Sequence, residues 1–190
     1  MRAECITGPM FCGKSTELCR RMHRLESIGK NVLYVKPAKD TRGGSSHISP
    51  RSTLTKVSCV SVESLCEILP ILFGPIKYDA IAVDEAQFFD DSVTFLNKLE
   101  LMQAIQDDII VVFACLLGDS DRFPWATVTH LLPRMDDIQF LKACCVYCAN
   151  GIEAAFTKCL VRKDAVELIG DSESYVAVCR KHYLISKQNT

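Results

Sequence analysis

The chain has 190 residues, 48% of them hydrophobic, and a formal net charge of −1. That length fits one domain with a core of its own and room for a small appendage. The near-neutral charge argues against a nucleic-acid partner, and without an apolar run of about 18 residues no membrane span is expected. Eleven cysteines without a secretion signal point to the reducing cytosol, with some thiols as metal ligands and the rest as small core residues.

Residues 3–7 suit a short strand, and residues 8–16 read Gly8-Pro9-Met10-Phe11-Cys12-Gly13-Lys14-Ser15-Thr16. This is a G-x-x-x-x-G-K-S loop. Its glycines allow tight turning and close backbone approach, and its N–H groups cradle an anion. Lys14 supplies a cation to the outer phosphates, and the Ser15 hydroxyl is a ligand for Mg²⁺. Residues 15–28 continue as a helix with Leu18, Met22 and Leu25 at helical spacing, stopped by Gly29. Strand, loop and helix in that order form the setting such a loop needs, so the whole stretch Gly8 to Thr16 is expected to bind the phosphates of a nucleotide.

Residues 31–36 read as a second strand, and 37–56 as a polar loop. Residues 61–72 read as a helix closed by Gly74-Pro75. The apolar run 80–83 suits a buried parallel strand, and Asp84-Glu85 follow it directly. An Asp there meets the second requirement of a phosphate-bound Mg²⁺. Glu85 would project into the same cleft and take a proton from an attacking hydroxyl or orient a water. Residues 92–106 read as an amphipathic helix, 109–114 as another buried strand and 118–124 as a loop. The β-α alternation implies a parallel sheet with helices on both faces, hence an α/β fold.

Beyond residue 143 the pattern changes to clustered cysteines and short strand-like runs at 154–160, 165–169 and 175–178. Two units are therefore expected, residues 1–143 as the nucleotide-binding domain and 144–190 as a small β-rich lobe. Cys145-x-x-Cys148 and Cys179-x-x-His182 are two facing knuckles whose four donors suit a closed, structural Zn²⁺ site. Cys144 is a rival donor, but Cys145 gives the C-x-x-C spacing. Such a lobe buries too little to stand without its metal.

These residues resemble the type II thymidine kinases. The likeness is carried by Gly8 to Leu18, Lys39-Asp40-Thr41-Arg42, Asp84-Glu85-Ala86-Gln87-Phe88-Phe89, Ala154-Ala155-Phe156-Thr157-Lys158, Val166 to Gly170, and Tyr175 before Val178-Cys179-Arg180. It spans nearly the whole chain. The resemblance implies a RecA-like P-loop fold with a zinc lobe carrying a lasso loop, and ATP-dependent phosphorylation of the thymidine 5′-hydroxyl. It implies Glu85 as general base, Asp84 as support for Mg²⁺, Arg42 with Lys14 at the reacting phosphate, and Gln87 among the nucleotide-binding residues. It further implies that Met10, Phe88, Leu116, Thr157, Val166, Leu168, Gly170 and Tyr175 hold the nucleoside, in a cytoplasmic homotetramer.

Some positions depart from the family pattern. Ser120 and Trp125 stand where phenylalanines are usual, Leu117 replaces a polar residue, and His182 replaces a fourth Cys. Cys159 and Ile48 stand at usual Arg and Asp positions, and two extra residues follow Cys148. A pocket wall altered at Ser120 and Trp125 would admit deoxycytidine beside thymidine. Two other functions compete on the residues alone. Asp84-Glu85-Ala86-Gln87 also resembles a helicase motif, as in a nucleic-acid-stimulated ATPase, and the paired knuckles also suit a non-enzymatic zinc-ribbon module.

Overall fold

The computed structural model describes residues 1–41, 44, 46–49, 56–103, 109–161 and 174–185. Strand β1 (Arg2–Thr7) leads through a loop into α1 (Lys14–Glu26), and β2 (Val32–Pro37) follows. A short antiparallel pair, β3 (His47–Ile48) with β4 (Val57–Ser58), precedes β5 (Val60–Val62). A 3-10 turn at Leu65–Ile68 runs into α2 (Leu69–Leu72), then come β6 (Ala80–Val83), α3 (Ser92–Gln103), β7 (Ile110–Cys115), α4 (Ala126–Leu131) and β8 (Asp137–Phe140). Six of these strands form one wholly parallel sheet in the order β5-β2-β6-β7-β1-β8.

Side chains of a strand alternate between faces, and here the alternation separates two cores. Leu33, Val35, Ile81, Val83, Val111 and Phe113 pack with Phe95, Leu96 and Leu99 of α3 and with Val128 and Leu131 of α4. Tyr34, Ala80, Ala82, Val112 and Ala114 face the other way, onto Leu18, Cys19 and Met22 of α1. The alanines on that face let α1 lie close to the sheet. Because the strands are parallel, all their carboxyl ends and following loops gather at one edge, where ligands of open α/β sheets bind.

The expected helix over 61–72 is corrected at its start. Val60 and Val62 are β-branched and pair in parallel with Val35 and Pro37, so the chain stays extended until Ser64. There the Ser64 hydroxyl and the Glu67 carboxylate form a capping box. A second carboxylate arrives from the start of α3. Asp91 accepts hydrogen bonds from the Ser64 hydroxyl at 2.5 Å, Leu65 N–H at 3.0 Å and Cys66 N–H at 2.8 Å. Burial pushes the Asp91 carboxyl up, but these donors outweigh it and hold the group below its usual range. A depressed native pKa contributes stability above the unfolded value near ~3.9, and the contribution is lost as pH falls through the native value. Asp91→Ala is therefore expected to cost about 2 kcal/mol at neutral pH by stranding those donors. The gap between variant and parent in thermal unfolding should close in acid.

Among the elements that lie where the sequence reading has none are the short pair β3 and β4, and also α4, β8 and the terminal helix α5 (Arg180–Ile185). Strand β8 shows no burial alternation, because it is the sheet edge and exposes Ile138 and Phe140 at 47% and 43%. It is held by contacts distant in sequence. Asp136 N–H donates to the Ala3 carbonyl and Leu141 N–H to the Thr7 carbonyl, both at 2.8 Å. Arg21 of α1 reaches Glu4 on β1 and, at 2.6 Å, Gln139 on β8.

The C-terminal part contains two antiparallel pairs, β9 (Ala143–Cys144) with β10 (Glu153–Ala154) and β11 (Phe156–Cys159) with β12 (Tyr175–Val178), followed by α5. The strand expected over 154–160 is divided at Ala155, and the one at 165–169 lies outside the described residues. This part has a small core of Cys145, Ala154, Ala177, Val178 and Tyr183. Among the described residues no helix is long and apolar enough to cross a membrane.

Candidate active site

The loop between β1 and α1 has a backbone few sequences tolerate. Gly8 has φ +148°, and a Cβ there would lie 2.3 Å from the Leu141 carbonyl oxygen. Gly13 adopts φ +87° immediately before α1, so glycine is required by conformation rather than by space. Helix α1 begins at Lys14, which turns its positive end toward the loop and makes it receptive to an anion. The Lys14 ammonium spans the loop, donating to the Pro9 carbonyl at 2.9 Å and the Gly8 carbonyl at 3.3 Å. Phe11, at φ +66°, packs its ring on the small C-terminal core. Met10 N–H donates to the Thr157 hydroxyl at 2.9 Å. The loop is thus braced from both sides, by the sheet below and the C-terminal part above.

The acidic pair comes from the end of β6. Asp84 is 6% exposed, and its Oδ1 accepts from the Ser15 hydroxyl at 3.1 Å and from Glu85 N–H at 3.0 Å. Glu85 takes a left-handed backbone, φ +49°, uncommon for a residue with a Cβ. Its carboxylate accepts from the Gln87 side-chain amide at 2.6 Å, and the Gln87 carbonyl oxygen accepts from Leu116 N–H at 3.0 Å. Gln87 is 2% exposed. Lys14, Ser15, Asp84, Glu85 and Gln87 therefore meet at the carboxyl ends of β1, β6 and β7. Hard oxygen donors from Ser15 and Asp84, side by side beneath the loop, fit Mg²⁺ carried in with a nucleotide.

Around this centre lie apolar faces. Phe88 meets the Trp125 ring edge-on with centroids 5.6 Å apart, and the Lys39 ammonium stands 4.2 Å from its ring. Tyr175 and Thr157 are buried on the β11–β12 pair. Leu116 follows β7 directly. Arg42, Val166, Leu168 and Gly170 lie outside the described residues.

Several residues at this end carry weight that the sequence reading does not assign. Lys36, at the end of β2, is 1% exposed and donates to the Gly44 carbonyl at 2.6 Å. The signal for it was a lysine closing an otherwise apolar strand. The loop after β7 is folded by the Asp119 carboxylate, which accepts from Asp121 N–H at 2.8 Å and Phe123 N–H at 2.9 Å. It is then fastened to α5, where the Tyr183 hydroxyl donates to the Ser120 carbonyl at 2.8 Å and the Arg122 guanidinium lies 4.6 Å from the Tyr183 ring. No local signal in the sequence links these two segments. The Ser120 hydroxyl and the Trp125 indole N–H are buried with no partner among the described residues.

In the C-terminal part, Cys145, Cys148, Cys179 and His182 place one donor atom each within 4.8 Å of one another. Cys148 and Cys179 sulfurs are 3.8 Å apart, and His182 Nδ1 lies 3.5, 3.3 and 3.4 Å from the sulfurs of Cys145, Cys148 and Cys179. A tetrahedron with bonds of about 2.3 Å to sulfur and about 2.0 Å to nitrogen has edges of roughly 3.8 and 3.5 Å, so the donor set fits zinc. Burial opposes ionisation of the Cys145 thiol, but the N–H groups of Cys179 and Cys148 and the side chains of Cys148 and His182 bring it down to about 6. Cys144 is exposed and outside the cluster. Of the remaining cysteines, Cys5, Cys19 and Cys115 are buried in the two main cores, and none of the eleven is in a disulfide.

A parallel sheet whose first strand opens through a G-x-x-x-x-G-K-S loop into a helix, with an Asp from a neighbouring strand end on the loop's serine, defines a P-loop nucleotide-binding protein. Comparison narrows the class. The family model described as thymidine kinase matches residues 1–183. The chain is 37% identical to thymidine kinase 1 of Dictyostelium discoideum, covering 96% of this chain and 77% of that protein. It is 38% identical to a thymidine kinase of Oryza sativa subsp. japonica (94% and 65%) and 33% identical to that of Monkeypox virus (95% and 96%). The chain belongs to the thymidine kinase family.

Proposed function

We propose that this chain transfers the γ-phosphoryl group of ATP to the 5′-hydroxyl of thymidine, forming dTMP. The observation that carries the chemistry is the Glu85 carboxylate, fixed by Gln87 and placed one residue from the Ser15–Asp84 pair. Phosphoryl transfer asks the protein for charge neutralisation and an aligned nucleophile more than for covalent chemistry. Lys14 and the loop's N–H groups would hold the β- and γ-phosphates, with Arg42 on the transferring group. Magnesium, entering with ATP, would supply charge neutralisation beside Ser15 and Asp84. Glu85 would orient the 5′-hydroxyl and take its proton. Met10, Phe88, Leu116, Thr157, Val166, Leu168, Gly170 and Tyr175 would enclose the nucleoside, the aromatic rings lying on its flat base.

Zinc held by Cys145, Cys148, Cys179 and His182 would be structural, since four protein donors leave no open position. In this reading residues 1–143 are the nucleotide-binding domain and 144–190 the zinc lobe with its lasso loop. The working form is a cytoplasmic homotetramer that uses neither nucleic acid nor membrane.

A broader specificity, thymidine plus deoxycytidine, draws support from the Ser120 hydroxyl and Trp125 indole N–H, buried and without a partner among the described residues. Both are hydrogen-bonding groups where the family usually has a phenylalanine. ATP consumption measured with each of the four deoxynucleosides, with single-stranded DNA and with no acceptor tests both readings. Thymidine should give the highest kcat/KM. Turnover on deoxycytidine within about 100-fold of thymidine, the scale of discrimination a small pocket change achieves, would establish the broader reading. Stimulation by DNA alone would overturn both.

A further inference from the structure

We propose that Gln87 is the positioning residue for Glu85, fixing its carboxylate against the sheet rather than touching the nucleotide. The proposal rests on the reading of Glu85 as general base. Residues two apart in a helix do not face one another. Here Glu85 takes φ +49° before the short turn Ala86–Phe88, and Phe88 N–H closes that turn on the Glu85 carbonyl at 3.1 Å. The left-handed residue swings the backbone so that the side chains of 85 and 87 converge. Each heteroatom of the Gln87 amide then has a protein partner, nitrogen to the Glu85 carboxylate and oxygen from Leu116 N–H.

The second bond decides what Glu85 is referenced to. Leu116 follows Cys115, the last residue of β7, and Cys115 lies in register with Thr7, the residue before the phosphate loop. The Glu85 carboxylate is therefore tied through one buried amide to the strand ends that place Gly8 and the loop. Asp84 makes the matching tie on the other side, from Glu85 N–H to Ser15. Such a constraint holds a base at a set distance from the reacting phosphate.

Two variants separate the roles. Gln87→Met removes both bonds at similar volume. Gln87→Glu keeps an acceptor for Leu116 N–H but replaces the donor to Glu85 with a like charge. With thymidine and ATP, both should lower kcat by about 10- to 100-fold, the scale of a misplaced catalytic group, with KM for either substrate within about threefold. In a crystal structure of Gln87→Met the Glu85 carboxylate should be turned away from its parent position or spread over more than one rotamer. That structure needs no turnover, so a parent protein that phosphorylates no nucleoside would sink the kinase reading while the position of the Glu85 carboxylate still decides the role of Gln87. Wild-type kcat and an unmoved Glu85 carboxylate in Gln87→Met would overturn the proposal. So would full activity in Gln87→Glu, which would make Gln87 only a brace for β7. A raised KM for ATP alone would instead show direct nucleotide contact.

Discussion

Glu85→Gln is expected to keep ATP binding and to lower turnover by about 10²- to 10⁴-fold, the range over which a positioned base acts. In energy that is roughly 3–5 kcal/mol of transition-state stabilisation. The substitution preserves size and leaves the Ser15–Asp84 contact and the Lys14 bridge across the loop untouched, so the phosphates should still be held. What is lost is the proton acceptor and the charge that the Gln87 amide is aimed at. Calorimetric ATP affinity within a few-fold of the parent, beside collapsed kcat, is the expected pair of results. Unchanged turnover would remove Glu85 from the base role and leave its backbone N–H as support for Asp84.

Stripping metal from the Cys145–Cys148–Cys179–His182 cluster is expected to unfold the C-terminal part and abolish activity, leaving the six-stranded sheet folded. Among the described residues the buried core there is five side chains, two of them alanine and one cysteine, against two large cores in the sheet. Structural zinc in small modules contributes about 10–16 kcal/mol of apparent binding energy at neutral pH, and that energy is folding energy. The effect should reach the phosphate loop, because Met10 N–H is held by Thr157 and Phe11 packs on this core. Chelation should therefore expose residues 144–190 to proteolysis and weaken ATP binding, while the sheet keeps its far-ultraviolet signal. Cys179→Ser should behave as the chelated protein does. Elemental analysis finding no zinc in fully active protein would refute the site.

The parts of the site legible in the residues are those whose geometry is local. A turn that only glycine can make, a lysine and serine at the first two positions of a helix, an Asp-Glu pair directly after an apolar strand, and two knuckles each with donors three residues apart carry their shapes within a few peptide units. The structure brings Lys14, Ser15, Asp84 and Glu85 together, and Cys145, Cys148, Cys179 and His182, because short segments were already committed and the parallel sheet had only to align their ends.

What only the tertiary structure decided are the contacts between distant segments. Residues 60–62 are a strand because β2 offers them a free edge, and 137–140 are one because β1 does. Neither segment has a burial period of its own to announce this. Asp91 caps a turn 25 residues earlier, Tyr183 holds a loop 63 residues earlier, and Gln87 reaches Leu116 across 29. Hydrophobic periodicity says which face of an element is buried but not which neighbour buries it. The partner of a lone polar group is set by strand order, and strand order follows from the packing of the whole sheet.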